Sequence, residues 1–500
     1  MALPDWARST APDGRFSAAR GGIGRGLSLN MLSAVFQLLG AVLSTVILSR
    51  ILLAEDFGVY GMIMPFVAVL LLVVDGGSVY YMLRSEQVVE READGLFWYA
   101  LACGAAGACL LLIASPGIAW AMNEERLVGA GAVAACALLF SGLGSQHGAL
   151  MMRCFRNDLR ALAIIGGVVA GVGLGLALAV AGLGYWALIA LLTVRIGATS
   201  LLYIGLSGWR PGRPKWDGAL LADIVRLARP TLAGRVVLAV VRESDKIIVG
   251  LLYSTASAGF YAFAQMLSVM PLLQIVSPTL TVVLPWLSEI KSDRDEVFRR
   301  FWDLLCIFTY VFLAPALFAS LFAGALFALV LGAEMQPSAA PFRILIVSAV
   351  AGMAFAFAGI SFQVMDRPDI TERQHYRMAL IFALCYALAA LDSRFETIAI
   401  ATLVGNTAAL ALRLRACIIF YEAAAAAAVK RLAKALLASA APALLVLLFA
   451  SAVEPGAITG GVTGDLFIHA ALFTAIYAAL GFRLFAIDPR QIVRRLRARR

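Results

Sequence analysis

Several ionisable side chains lie together in one stretch of the chain that is otherwise apolar. An ionisable group at the centre of a membrane helix costs roughly 2.5–3.5 kcal/mol or more, so it usually faces water or another charge. The stretch therefore indicates a polar pathway through a membrane, not a helix that contacts only lipid. Its charged members, all within residues 229–252, are Arg235, Arg242, Glu243, Asp245 and Lys246.

The spacing of the three cations predicts one anion-binding face. On an α-helix, steps of seven and four residues return to the same side, so Arg235, Arg242 and Lys246 should point in one direction. Asp245 follows Arg242 by three residues, and Glu243 is expected to point elsewhere. Arginine binds phosphate through two parallel charge-assisted hydrogen bonds, whereas lysine acts as a point charge. The face is therefore suited to a phosphate or pyrophosphate group.

Polar residues in four other apolar segments extend this candidate site. Arg195 is the isolated cation of the sixth segment, and Gln37 and Gln265 could hydrogen-bond sugar hydroxyls from the first and eighth segments. Asp75 and Asp245 are candidates for ion coupling. No catalytic residue is predicted. The seven cysteines have no metal-binding spacing, so neither a metal site nor a cofactor is expected.

Each of these residues also has a purely structural interpretation. Arg242 or Lys246 could form an ion pair with Asp245. Arg235 could extend to the membrane surface, and Arg195 could donate to a carbonyl group at a helix end. Either glutamine could hydrogen-bond a neighbouring helix, and the aspartate of the second segment could serve only as a counter-ion.

The composition places these residues in a polytopic membrane protein. Hydrophobic residues form 62% of the 500 positions and charged residues 14%, and the mean hydropathy is +0.88. A soluble domain has ~25% charged residues. The fold class predicted is an all-α polytopic membrane protein, because helices satisfy their own backbone hydrogen bonds in lipid.

Segments of about 20 apolar residues, the length that crosses a bilayer, occur fourteen times. The eleventh is short. The predicted spans are 29–53, 58–83, 95–121, 127–151, 161–182, 185–206, 229–252, 258–287, 301–331, 341–365, 377–391, 396–420, 435–452 and 465–486.

The distribution of lysine and arginine predicts the orientation. These residues concentrate in the two terminal tails and in every second connecting segment, and the intervening turns are acidic or neutral. The positive-inside rule then places both termini in the cytoplasm. This placement also accounts for the net charge of +10, so no nucleic-acid partner is expected.

An internal repeat divides the chain. Gly58 and Tyr60 follow the first span, Gly259 and Tyr261 follow the seventh, and both pairs are related by 201 residues. Such repeats indicate two related lobes with a site near the membrane midplane. The predicted divisions are a cytoplasmic tail (1–28), an N-lobe of helices 1–6 (29–207), a C-lobe of helices 7–12 (208–421), and 422–500, which holds an interfacial linker, helices 13–14 and a basic tail.

Three segments resemble one family. Residues 48–60 (LSRILLAEDFGVY) resemble the end of helix 1 in bacterial polysaccharide repeat-unit flippases, which belong to the multidrug/oligosaccharidyl-lipid/polysaccharide exporter superfamily. Residues 243–250 (ESDKIIVG) resemble the charged stretch of their helix 7. The residues 259–261 (GFY) and 284–288 (LPWLS) match the pattern of helix 8. The resemblance covers about residues 25–420 and the number of helices.

The resemblance implies a flippase that moves undecaprenyl-pyrophosphate-linked oligosaccharide repeat units by alternating access, for exopolysaccharide, capsule or O-antigen synthesis. Its ligand would be the polyprenyl-pyrophosphate-linked oligosaccharide, and its partners the lipid bilayer and a polysaccharide polymerase with its co-polymerase. A multidrug or cation antiporter of the same superfamily and a peptidoglycan-precursor flippase are the alternatives. A membrane glycosyltransferase or polymerase is less favoured, because such enzymes need a sizeable extramembrane loop, which the sequence lacks. The protein is therefore expected not to be an enzyme.

Overall fold

The fold is all-helical throughout the part of the chain that the structure describes. A computed structural model describes residues 20–75, 77–84, 90–154, 156–213, 218–422, 424–452 and 462–485, and no strand occurs within these ranges. Fourteen long helices follow one another. They are α1 (Arg20–Leu48), α2 (Ala54–Asp75), α3 (Glu90–Ala121), α4 (Arg126–Arg153), α5 (Asn157–Val180), α6 (Trp186–Ser207), α7 (Gly218–Leu252), α8 (Thr255–Ser288), α9 (Arg294–Leu321), α10 (Ala339–Ala358), α11 (Pro368–Ala389), α12 (Glu396–Phe420), α13 (Ala425–Ala452) and α14 (Val462–Phe485).

Each predicted span corresponds in order to one of these helices, and short helical segments complete some of them. A turn of helix, Ser78–Arg84, follows α2, and Ile360–Val364 follows α10. Between α9 and α10 lie a short α-helix, Ala323–Leu326, a π-helical turn, Phe327–Leu331, and a 3₁₀ segment, Ala333–Ser338. The predicted all-α polytopic fold is confirmed.

Ten helices in the described ranges are long and apolar enough to cross a membrane. The other four are α1, α7, α11 and α14. In α1 and α14 the described apolar stretches are shorter, Ser33–Leu48 and Ile468–Leu480. In α7 and α11 several charged residues lower the mean hydropathy. For these four helices, membrane crossing remains a prediction.

The helix ends depart from the predicted spans where polar or alanine-rich sequence continues a helix. α7 begins at Gly218 and α11 at Pro368, so the short eleventh span belongs to a helix of 22 residues. The alanine-rich part of the predicted interfacial linker is continuous with α13 from Ala425 onward. α1 begins at Arg20, inside the predicted N-terminal tail. Residues 1–19 and 486–500, which hold the rest of that tail and the basic C-terminal tail, lie outside the described residues.

The helices form two compact units. The first contains the described residues up to Phe263 together with Tyr386–Ile398, and the second contains Ala264–Cys385 and the described residues from Ala399 onward. The boundary therefore falls within α8, and α7 is grouped with the first six helices. The predicted lobes, 29–207 and 208–421, were drawn from the sequence repeat and remain a prediction.

In the first unit, glycine allows the helices to approach closely. α5 packs against α6, α3 against α4, and α2 against both α4 and α7. On α5, Gly167, Gly171 and Gly175 face α6, and a Cβ at Gly171 would lie 2.7 Å from the Cβ of Arg195. Small residues at four-residue intervals are how membrane helices approach each other without a hydrophobic driving force. This packing fixes the height at which α6 presents Arg195.

In the second unit, α9 is the central helix. It packs against α10 and α13, and α13 packs against α14. Aromatic side chains fill the contacts, with Tyr310 of α9 stacked on Tyr477 of α14 at a centroid distance of 4.7 Å. The indole nitrogen of Trp302 donates to the carbonyl oxygen of Ala428 at 3.0 Å, which anchors the start of α13 to α9.

Candidate substrate-binding site

Arg235 and Arg242, in the charged stretch of α7, have no ion pair among the described residues. Arg235 is exposed and Arg242 is half-buried. Neither side chain forms a hydrogen bond or an ion pair with any residue that the structure describes. They are separated by two helical turns, about 10 Å along the axis. The ion pair with Asp245 that was considered as an alternative role for Arg242 is therefore not formed, and the donors of both guanidinium groups are unoccupied within the described part of the chain.

Lys246 is paired within its own helix. Its ammonium group forms an ion pair with the Glu243 carboxylate one turn earlier, and the two side chains are only 15% and 21% exposed. The sequence prediction that Glu243 points elsewhere was wrong, because residues three apart are neighbours on a helix surface. The pair largely neutralises Lys246, so this residue is a weaker candidate for binding an anion than the two arginines.

Asp245 joins α7 to α8. Its side chain is 1% exposed, and its carboxylate accepts the Tyr261 hydroxyl at 3.0 Å and the Lys246 backbone N–H at 2.8 Å. A buried carboxylate requires such partners, because desolvation without hydrogen bonds is costly. The sequence analysis treated Tyr261 only as part of a repeat and missed this contact. Ion coupling by Asp245 remains a prediction.

Arg195 and Gln37 line the same cavity in the first unit. The cavity has a volume of about 250 Å³ and lies between α1, α4, α5 and α6. Arg195 is half-buried, and within the described ranges it forms no ion pair. The helix-terminal hydrogen bond considered for it is not formed there either. The remaining lining residues are Ser141, Gly144, Ser145, Ile164, Val168, Ile196, Thr199, Ser200 and Tyr203.

Hydrogen bonds inside the helices orient the polar groups of this cavity. The Thr199 hydroxyl donates to the carbonyl oxygen of Arg195 at 2.8 Å, and the Ser145 hydroxyl donates to that of Gly142 at 3.2 Å. The Gln37 amide nitrogen donates to the carbonyl oxygen of Ser33 at 3.3 Å. The side-chain oxygens can still accept hydrogen bonds. Gln37 thus has an internal partner, although not on a neighbouring helix.

The sequence contained a signal for this cavity that the prediction did not use. Arg195, Thr199 and Tyr203 recur at four-residue intervals on α6, as Ser141 and Ser145 do on α4. Such spacing places polar groups on one helix face. Tyr60 of α2 also lies within electrostatic range of both Arg195 and Glu243, which brings α2, α6 and α7 together around charged groups.

The remaining two predicted residues are Gln265 and Asp75. Gln265 is half-buried and belongs to the second unit. Asp75 is the last residue of α2, but its side chain lies outside the described part of the chain. Its proposed role in ion coupling remains a prediction. Within the described residues, no group of three His, Cys, Asp or Glu side chains could hold a metal ion.

A buried arginine in the second unit was not predicted. Arg413 of α12 is 1% exposed and donates to the carbonyl oxygens of Phe355 and Thr371 at 3.0 and 3.2 Å. Its guanidinium carbon lies 3.5 Å from the centroid of the Phe355 ring. In the sequence it falls within the predicted twelfth span, 396–420, and was not assigned a role. Its contacts are those of a structural residue that ties α12 to α10 and α11.

A cluster of polar side chains connects three turns of the first unit. Arg126 donates to both oxygens of Glu124 at 2.8 Å, and Thr255 donates to Glu124 at 2.9 Å. Arg126 also lies 3.4 Å from Glu55 at the start of α2. The hydrogen bonds from Arg126 hold the pKa of the Glu124 carboxyl below its ordinary value. The group connects the beginnings of α2, α4 and α8.

Comparisons with known proteins place this arrangement in a family. A family model described as "Polysaccharide biosynthesis protein" matches residues 47–340, more than half of the chain. The teichuronic acid biosynthesis protein TuaB of Bacillus subtilis (strain 168) is 22% identical over 246 residues, which cover 47% of this chain and 48% of that protein. The match thus spans about half of the length of this relative.

Solved structures share the fold. The lipid II flippase MurJ in an inward closed conformation has a TM-score of 0.74 at 12% identity, and the match covers 92% of this chain and 99% of MurJ. An inward-facing multidrug resistance MATE family transporter of the MOP superfamily has a TM-score of 0.61 at 15% identity. That match covers 78% of this chain and 98% of the transporter. The expected resemblance to a polysaccharide family is confirmed. The chain belongs to the polysaccharide biosynthesis protein family and has the fold shared by MurJ and the MATE transporters of the MOP superfamily.

Proposed function

We propose that the protein is a flippase that translocates undecaprenyl-pyrophosphate-linked oligosaccharide repeat units, for exopolysaccharide, capsule or O-antigen synthesis. The pyrophosphate would bind Arg235 and Arg242 of α7, and the site would be exposed to the two sides of the membrane in turn. The proposed location is the bacterial cytoplasmic membrane, with both termini in the cytoplasm. A polysaccharide polymerase and its co-polymerase would act on the translocated unit.

The observation that supports this function is that Arg235 and Arg242 of α7 form no ion pair with any described residue. Arg242 lies in an apolar helix and is half-buried, yet it has no ion pair among the described residues. An unpaired guanidinium group in such a position needs water or an anionic ligand to offset its desolvation. A pyrophosphate meets this need, and the planar guanidinium group can bind it with two parallel hydrogen bonds.

The charge balance of α7 favours an anionic substrate over the cationic drugs of a multidrug exporter. Both carboxylates of the charged stretch are occupied, since Glu243 pairs with Lys246 and Asp245 accepts the hydroxyl of Tyr261. The groups left without partners among the described residues of α7 are cations. A drug cation would meet Arg242 before it met a free carboxylate, which is unfavourable.

The test is a flipping assay in vesicles that contain the purified protein. A fluorescent undecaprenyl-pyrophosphate oligosaccharide is placed in one leaflet, and a quencher that cannot cross the membrane reports its transfer. We expect Arg242→Ala to lower the initial rate about ten- to a hundredfold, since charged hydrogen bonds contribute roughly 1.5–3 kcal/mol. Arg242→Lys should retain part of the rate if charge suffices, and little of it if bidentate contact is required.

A matched control separates a specific effect from loss of positive charge. Arg415 is an exposed arginine of α12 in the second unit, so Arg415→Gln should leave the rate unchanged. Equal rates for the wild type and Arg242→Ala would remove this residue from the mechanism. Transfer no faster than in protein-free vesicles would refute the flippase itself. A preference for a lipid-linked peptidoglycan precursor would instead support the alternative suggested by the fold of MurJ.

A further inference from the structure

The cavity beside Arg195 is small, partly open and lined by helices of one unit. Four helices of the first unit line it, and its volume is about 250 Å³. Pockets for drug-sized ligands usually have ~300–1,000 Å³. The cavity therefore suits one sugar ring, and the rest of an oligosaccharide would extend through its open side.

The charge of the cavity selects a ligand with a single negative charge. Arg195 is the one charged side chain among the described residues that line it. The other polar groups are an amide and hydroxyls, which are neutral. A pyrophosphate carries more negative charge than one guanidinium group can balance, whereas a carboxylate matches it in charge and in its two-oxygen geometry.

The neutral groups complement the hydroxyls of a sugar. Thr199, Ser145 and Gln37 each use a donor on their own helix. Their oxygen atoms are then left to accept hydrogen bonds, and sugar hydroxyls are donors. Ile164, Val168 and Ile196 supply an apolar wall for the carbon face of a ring.

Close helix packing keeps Arg195 in place. A Cβ at Gly171 would lie 3.0 Å from the Cα of Arg195, and a Cβ at Gly167 would lie 2.7 Å from its carbonyl oxygen. The backbone of Arg195 therefore cannot shift without moving α5. The main chain from which the Arg195 side chain reaches the cavity is therefore already in place, which lowers the cost of ordering this part of the site on binding.

We propose that this cavity binds one carboxylate-bearing sugar residue, a hexuronate, of the translocated oligosaccharide. Arg195 binds the carboxylate through two parallel hydrogen bonds, and Gln37, Ser145 and Thr199 accept from the ring hydroxyls. The proposal rests on the proposed function and deepens it, because it names the class of glycan that the flippase accepts. The pyrophosphate and the acidic sugar would then have separate cation sites.

The experiment measures binding of free monosaccharides to the full-length protein in nanodiscs by saturation-transfer NMR, which detects weak binding. D-Glucuronate should bind the wild type roughly ten- to a hundredfold more tightly than D-glucose, since the difference is one charged pair. Arg195→Gln should reduce glucuronate binding to the level of glucose. Arg195→Lys should keep a reduced preference, and the control Arg415→Gln should bind as the wild type does.

A second variant keeps the test decisive if Arg195→Gln fails to fold. Thr199→Val removes a hydroxyl at nearly constant volume and should weaken glucuronate and glucose several-fold and alike. Equal binding of both sugars by the wild type, or no binding, would overturn the proposal. Competition by inorganic phosphate as strong as that by glucuronate would also overturn it, because the site would then recognise phosphate.

The two proposals fail in different ways. If vesicles show flipping but the protein has no preference for glucuronate, only the acidic-sugar site is wrong. If the Arg195-dependent preference for glucuronate is found but no lipid-linked oligosaccharide is flipped, the cavity is a sugar site in a protein of another function.

Discussion

Glu124 is held by residues from several neighbouring elements of the first unit. Arg126 and Thr255 donate to its carboxylate, and Glu55 and Tyr185 lie close enough to act on it electrostatically or through Arg126. The hydrogen bonds from Arg126 are the main reason that the pKa of Glu124 lies below its ordinary value of 4.5, and burial opposes them. The ionised form is thus favoured by the folded protein.

This environment predicts a pH-dependent contribution to stability. A carboxyl group whose pKa is lower in the folded state stabilises the protein above its unfolded value and loses that effect as pH falls through the folded value. At pH 7, Glu124→Gln should cost about 1–2 kcal/mol, allowing for the partial exposure of Arg126. The melting temperatures of the wild type and of Glu124→Gln should differ by a constant amount above about pH 5. The two values should converge as the pH falls below 4.5.

Glu125 provides the control, because it lies next in the chain and is exposed. Glu125→Gln should change the melting temperature little at any pH. If the difference between the wild type and Glu124→Gln grew as the pH fell, the pKa of Glu124 would be raised by folding and the assignment of its partners would be wrong.

Residue types and spacing predicted which charges matter but not how they pair. Arg242 with Asp245, Glu243 with Lys246, and Lys246 with Asp245 are all within reach on one helix. The structure selects Glu243 with Lys246 because Tyr261, on the next helix, occupies Asp245. Asp245 and Tyr261 are sixteen residues apart and lie on two different helices, so their contact leaves no trace in helical periodicity. Arg195 and Gln37 were predicted as cavity residues, and the structure places both on one cavity.

At the scale of the helix, the two copies of the repeat contact each other. A Cβ at Gly58 of α2 would lie 2.0 Å from the carbonyl oxygen of Thr255, and a Cβ at Gly259 of α8 would lie 1.8 Å from that of Ala54. A Cβ at Gly61 would lie 2.4 Å from the Cβ of Ala262. The contacts are reciprocal, since the offset that relates Gly58 to Gly259 also relates Ala54 to Thr255. The start of α2 therefore packs against the start of α8 with no room for a side chain at either glycine.

Because the two helices are this close, we expect that adding a single methyl group at either glycine would push them apart. Gly58→Ala and Gly259→Ala should each destabilise the protein by about 1–3 kcal/mol, the usual effect of overpacking, although alanine is the better helix former. The measurement is the melting temperature of the purified protein. Gly117→Ala on α3 is the matched control, because a Cβ there has no atom within 4 Å.

The direction of the stability change distinguishes a glycine in a close helix contact from a glycine that faces open space. The control should be neutral or should stabilise by up to roughly 1 kcal/mol, because glycine costs that much in a helix. A stable Gly58→Ala protein with an unchanged melting temperature would show that α2 and α8 do not approach each other this closely.

The order of the helices was predictable because the length of an apolar segment is a strong constraint in a bilayer. The residues at which the helices begin and end were less predictable. α7 begins at Gly218 and α13 at Ala425, before the apolar segments begin. Once a helix is nucleated, each further residue adds one hydrogen bond, and alanine or arginine continues it readily. Hydropathy marks the part of a helix in lipid and not the whole helix.

At the scale of the whole molecule, the arrangement of charge predicts a topology. Basic residues concentrate in alternate connections, as in the segment from Lys291 to Arg300, whereas the turn around Asn123 is acidic. Cytoplasmic loops of membrane proteins carry such an excess of lysine and arginine. We therefore expect the α8–α9 connection on the cytoplasmic side and the α3–α4 and α11–α12 turns on the opposite side.

Cysteine labelling in intact cells tests this topology. Asn123, Ser292 and Ser393 are exposed residues of these three connections, in chain order α3–α4, α8–α9 and α11–α12. A maleimide that cannot cross the membrane should label Asn123→Cys and Ser393→Cys at once, and Ser292→Cys only after the membrane is permeabilised. The wild type, whose seven cysteines lie in or beside helices, gives the background. The reverse pattern would place the termini outside. Labelling of all three variants in intact cells would mean that an even number of helices crosses the membrane between each successive pair of connections. In that case α7 and α11, one in each interval and neither among the ten apolar spans, would not both cross the membrane.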